Sequence, residues 1–152
     1  MSWKQVQSQD DADELLGIFG GFHDSCIREA YVFTDHWVSE NLSMSCPGHL
    51  DNRVRLLVQR QYRNLSAIEM LFESVTHFNL VPSGENRDSI IFSAALVVRG
   101  GLVCWCPDAN WVPDKPRSET HTWIAAKSMR WREADGLLGE GPFYGPKDEG
   151  SP

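Results

Sequence analysis

Within the run from Asn64 to Leu80, the apolar residues Ile68, Met70 and Phe72 recur at a spacing of two. That is the period of a pleated strand rather than of a helix. The alternation returns at Val54/Leu56/Val58, at Leu102/Cys104/Cys106 against Val103/Trp105, and at Trp123/Ala125/Lys127/Met129/Trp131. Strands are also expected over 25–33, where Ile27, Tyr31 and Phe33 share a face that Glu29 interrupts, over 53–61, over 89–99, and over about 119–132. A shorter one, Leu42/Met44/Cys46, is ended by Pro47-Gly48. Residues 35–41 read as a connection that Trp37 and Val38 can extend into a strand. Gly100-Gly101 between two apolar runs signals a hairpin.

One helix interrupts this pattern, over about residues 11–19. Asp10 or Asp11 is placed to cap it, with Asp11 and Glu14 at capping-box spacing. Leu15, Leu16, Ile18 and Phe19 give an apolar face, and Gly20-Gly21 a left-handed stop. A helix of about two to three turns is held by docking, not by propensity. The expected fold is mainly β (α+β): a single curled antiparallel sheet, or partly open barrel, of about seven strands in meander order with one short N-terminal helix. A flat sandwich is the second architecture. The chain of 152 residues fits one β-rich domain, 1–144, in which Leu137, Leu138, Phe143 and Tyr144 can pack. Residues 145–152 lack an apolar anchor and are expected to form a disordered tail.

Charge is distributed unevenly. Residues 1–50 carry eight acids and two bases (−6), residues 51–132 eight and eleven (+3), and the remainder five and one (−4). This balance speaks against nucleic-acid binding, which needs a concentrated basic face, and suits a basic protein partner. No apolar run approaches the roughly 20 residues of a membrane helix, so no membrane span is expected. The first residues carry no apolar signal-peptide core, so a cytoplasmic location is expected. Cys26, Cys46, Cys104 and Cys106 then read as reduced thiols.

No set of residues identifies a reaction. His23-Asp24 stands where the helix gives way to the first strand, but neighbours in a strand point to opposite faces and do not act as a pair. Cys104 and Cys106 lie about 6.5 Å apart by strand rise, too wide to chelate one zinc without bending. Neither metal nor cofactor is expected, and no catalytic residue is assigned. His36, His77 and His121 are scattered, and Gly17, Gly20 and Gly21 end a helix where a phosphate loop begins one. Arg53, Arg55, Arg60 and Arg63 read as a solvated strand face. Of six tryptophans, Trp105, Trp123 and Trp131 fall in strands, whereas Trp37 and Trp111 fall in connections, where an aromatic anchors a partner or folds back on the sheet. His23, Asp24, Trp37 and Trp111 are therefore the binding candidates.

The order Leu15-Leu16, then Gly20-Gly21-Phe22-His23-Asp24, then Ile68 to Phe72 with Val75 and Phe78, and finally Trp131-Arg132 resembles a loose group of uncharacterised small bacterial proteins. Some of these are labelled candidate immunity proteins of toxin systems. The resemblance spans about residues 12–132 and implies a bacterial source and a β-rich fold with a leading helix, with no catalytic residue to carry over. Three functions are expected in order: a non-enzymatic domain that binds another protein, a basic one in the first instance, or its own second copy; a β-barrel holding a small molecule between Trp105, Trp123 and Trp131; and a hydrolase around His23/Asp24 with Glu29 or His121 on the same rim.

Overall fold

A computed structural model describes residues 2–114 and 120–147. Glu119 of the last expected strand, and 148–152 of the expected tail, lie outside the described residues. The elements are β1 (Lys4–Val6), α1 (Gln9–Ile18), β2 (Ser25–Phe33), β3 (Trp37–Val38), β4 (Met44–Ser45), β5 (Arg53–Arg60), β6 (Ala67–Asn79), β7 (Ala95–Arg99), β8 (Leu102–Cys106) and β9 (Trp123–Glu133). One antiparallel sheet of seven strands runs β2-β5-β6-β9-β8-β7, with β1 beside β9, and it does not close into a barrel. The meander is broken once: β9, last in sequence, lies between β6 and β8. β3 and β4 form a separate two-stranded arm.

The inner face carries the core. Val54, Leu56, Val58, Ile68, Met70, Phe72, Trp105, Ile124, Met129 and Trp131 pack against Ala12, Leu15, Phe19 and Phe22 from α1 and the turn after it. Burying such side chains contributes about 1.5–3 kcal/mol each relative to exposure. The helix starts earlier than expected. Ser8, in extended conformation, is the N-cap and accepts from the Asp11 N–H at 3.2 Å, while Asp11 accepts from the Ser8 N–H at 3.1 Å. Asp11 is thus the third residue of the box, not the cap.

Irregularities decide which residues face inward. In β2 the register shifts between Ile27 and Glu29, so Ile27 pairs with inward Val58 and Glu29 with outward Leu57. This bulge at Arg28 removes the charge from the core face. In β9 the even spacing from Trp123 to Trp131 does not stay on one face: Trp123 and Ala125 lie outward, Met129 and Trp131 inward. The expected strand over 89–99 is also shorter. The Ile91 N–H donates to the Ser25 carbonyl at 2.7 Å and the Ala94 N–H to that of Gly21 at 2.9 Å, which ties this segment to the turn before β2. The β7–β8 hairpin has the expected Gly100-Gly101 loop, with φ of 60° and 75°, as a type I′ turn requires.

Candidate functional site

Four left-handed residues, Gly20, Gly21, Phe22 and Asp24, fold the chain between α1 and β2 into a tight corner. Positive φ at Asp24 overturns the expectation that His23 and Asp24 point apart: His23 Nε2 lies 3.4 Å from Asp24 Oδ2. His23 Nδ1 sits 2.8 Å from the Phe92 carbonyl, which can only accept, so Nδ1 carries the hydrogen. The Tyr62 hydroxyl donates to Asp24 at 3.2 Å, and the Phe92 ring stands edge-on to His23 with centroids 5.2 Å apart. Arg60 lies over both Phe19 and Tyr62 and donates to the Leu65 carbonyl at 2.6 Å. Burial there pushes its guanidinium below its ordinary value, opposed by the charge of Asp135. A Cβ on Gly20 would meet Arg60 Nη1 at 2.8 Å, so the corner and the arginine are packed together. Tyr62 and Phe92 are missing from the sequence reading because only the turn after β5 and the segment before β7 bring them here.

The corner is held together by side-chain contacts to the backbone and between rings. Ser25, the neighbouring hydroxyl, is buried and donates to the Phe22 carbonyl at 2.6 Å, so it is not poised as a nucleophile. Glu29 is on the outer face, where it accepts from the N–H groups of Phe143 and Tyr144 at 2.8 and 3.0 Å. His121 sits between Thr120 Oγ1 at 2.8 Å and Asp108 Oδ2 at 3.1 Å, in the connection after β8. Among the described residues, neither Glu29 nor His121 makes a hydrogen bond or ion pair with His23 or Asp24.

The tryptophans divide by face. Trp105 packs on Phe22 at 5.7 Å in the core beside Trp131, whereas Trp123 lies on the outer face, stacked on His77 at 3.7 Å. The three therefore belong to two separate clusters and do not line one cavity. Trp111, expected to be an exposed anchor or a folded-back ring, is the latter: 5% exposed, 5.1 Å from Trp123, in a small cluster with Cys104 and Cys106. Burial raises both thiols, Cys106 to about 11, which favours the protonated form. Among the described residues, no group of three or more His, Cys, Asp or Glu gathers into a metal site.

Trp37 is different. It stands on the arm at 59% exposure, with Val38, Leu42 at 84% and Met44 at 66% beside it, and Tyr31 and Val32 exposed on the adjoining end of β2. The arm's base is fastened by polar contacts: Asp51 accepts from the Asp35 N–H at 3.0 Å and meets His36 Nδ1 at 2.7 Å, and Arg53 pairs with Asp35. An exposed apolar tip on a fixed base offers a ready contact surface.

The outer face also holds a charged site absent from the sequence reading. Glu69, 1% exposed, accepts from Arg55, from Arg132 Nε at 2.9 Å and from the Tyr144 hydroxyl at 2.9 Å, while Trp3 lies over Arg132 and Arg55. Burial, with Glu69 beside it, holds the Tyr144 hydroxyl above its ordinary value. The expected arginine stripe is thus partly an ion-pair ladder across strands. Leu137, Phe143 and Tyr144 pack on Leu57, Ala67 and Ala134 as a C-terminal strap, while Leu138 stays exposed. No helix among the described residues is long and apolar enough to cross a membrane. Comparison with protein-family models, with curated proteins and with solved structures finds no match for this chain.

Proposed function

We propose that this is a non-enzymatic protein-binding domain that engages its partner through the β3–β4 arm, in an immunity-type or regulatory role. The observation that carries the reading is the exposure of Trp37, Val38, Leu42 and Met44 on one protruding hairpin. Aromatic and Met side chains are enriched in the centres of interfaces, and an arm with a polar base costs little entropy to dock. The acidic balance of residues 1–50 favours a basic partner and makes the complex sensitive to salt.

The test compares the intact protein with a Trp37→Ser/Met44→Ser variant as baits against a lysate of the source organism, at low and high salt. The reading expects a protein retained at low salt by the wild type and lost from the variant. Recovery of the same proteins by both baits, or of the bait alone, contradicts it.

A further inference from the structure

The outer edge of β2 is open. A single antiparallel bridge joins Ser25 to Ile91, and beyond it Ile27 to Ala30 meet no strand on that side among the described residues. The connection from β6 to β7 then draws away, leaving a groove of about 450 Å³ between these residues and a wall formed by 80–83 and 88–91. Such a volume falls in the range of ligand sites, about 300–1,000 Å³. Four strand residues run about 13 Å, and their outward backbone groups need partners.

The groove's chemistry describes what fills it. An extended chain continues the ladder that Ile91 begins, matching backbone to backbone. Leu80, Val81, Pro82 and Ile90 give an apolar wall. Of the charges that line it, Glu29 is occupied by the N–H groups of Phe143 and Tyr144, and Asp88 accepts from the Ile90 N–H at 3.0 Å. Arg28, exposed at the bulge, makes no hydrogen bond or ion pair among the described residues. Its charge reaches the neighbouring Glu29, whose oxygens are taken by those N–H groups, and the complement of a guanidinium whose N–H groups have no acceptor among the described residues is a carboxylate.

We propose that this groove takes an extended peptide segment of a partner as an added strand, with a carboxylate of that segment on Arg28. The wall of 80–83 and 88–91 faces the strand across the groove, so an added strand lies between them. The site is separate from the arm tip and stands without the arm reading.

A phage-displayed library of random linear peptides, panned on the intact protein, tests the proposal. The expected winners are rich in β-branched residues and carry Asp, Glu or a free C-terminal carboxylate. Synthesised with a fluorescent label, a winner binds Arg28→Glu about tenfold more weakly, the worth of one charge-assisted hydrogen bond. It fails to bind Ser83→Trp, whose indole fills the groove, and binds Trp37→Ser normally. Its binding slows amide exchange within residues 27–30. The amidated and free-acid forms tell a terminal carboxylate from a side chain. Failure to enrich any peptide, or winners indifferent to both groove variants, overturns the proposal; winners lost only from Trp37→Ser overturn it while supporting the arm.

Discussion

The sheet ends differently on its two sides. At β7, the Gln9 side chain takes the place of a strand: its Nε2 donates to the Leu96 carbonyl at 3.1 Å, and its Oε1 accepts from the Val98 N–H at 2.9 Å. The helix that carries Gln9 is seated in the core by Ala12 and Leu15. At β2, one backbone bridge is followed by a groove and then by the exposed arm. Edges left bare invite pairing, and proteins usually cover them. The chain therefore spends a helix on closing one edge and leaves the other accessible, with the bulge at Arg28 limiting how a visitor can align.

Removing the support of the closed edge has the largest expected effect. Leu15→Ala empties a fully buried site beneath α1 and costs about 3–5 kcal/mol in urea unfolding; a loss below about 1 kcal/mol shows that α1 is not what closes this side. The open side is backed instead from behind, through Glu69 and the C-terminal strap. Glu69→Ala leaves Arg55 and Arg132 without their shared carboxylate and costs about 3 kcal/mol, the low end for a buried pair because both arginines are near one-third exposed. An unchanged urea midpoint removes the network from the fold's support. Gln9→Ala costs about 1 kcal/mol and bares β7. Size-exclusion chromatography then shows concentration-dependent self-association; a strictly monomeric variant of unchanged stability means that the Gln9 contacts guard nothing.

Acid probes the strap. Burial raises the Glu29 carboxyl, but the N–H groups of Tyr144, Phe143 and Gly145, helped by the charge of Arg28, outweigh it and hold the group below its ordinary value. A carboxylate lowered by folding adds stability that is complete above its unfolded value and is lost as pH falls through the folded one. The strap therefore loosens below the ordinary glutamate range of about pH 4. Glu29→Gln flattens the acid limb of the stability curve relative to wild type. Superimposable curves show that Glu29 does not hold the strap.

Much of the sheet was legible because its inward residues are aliphatic and regularly spaced. Ile68/Met70/Phe72 and Cys104/Cys106 against Val103/Trp105 face as their alternation predicts. What escaped depends on contacts distant in sequence or on backbone of reversed hand. The inward turn of Met129 and Trp131 follows an irregularity within β6 and β9 that no local propensity marks. Residues 89–94 are apolar enough for a strand, yet their backbone bonds go to Gly21 and Ser25. His23 and Asp24 meet only because Asp24 is left-handed. Trp37 and Trp111 looked alike as aromatics in connections; the neighbourhood of Trp123 buries one, and the arm exposes the other.

The smallest expected effect on stability separates binding surface from framework on the open side. Trp37 touches no core cluster, so Trp37→Ser shifts the urea midpoint by no more than about 0.5 kcal/mol in free energy. The arm is anchored at its base through Asp35, His36, Asp51 and Arg53, and none of these contacts involves the Trp37 side chain. Circular dichroism and the unfolding slope m stay at wild-type values, while binding of a hydrophobic dye falls because a large exposed ring has gone. A cost above about 2 kcal/mol would mean that the tryptophan supports the hairpin. The arm would then belong to the framework, like the closed β7 edge, rather than to a surface kept free for a partner.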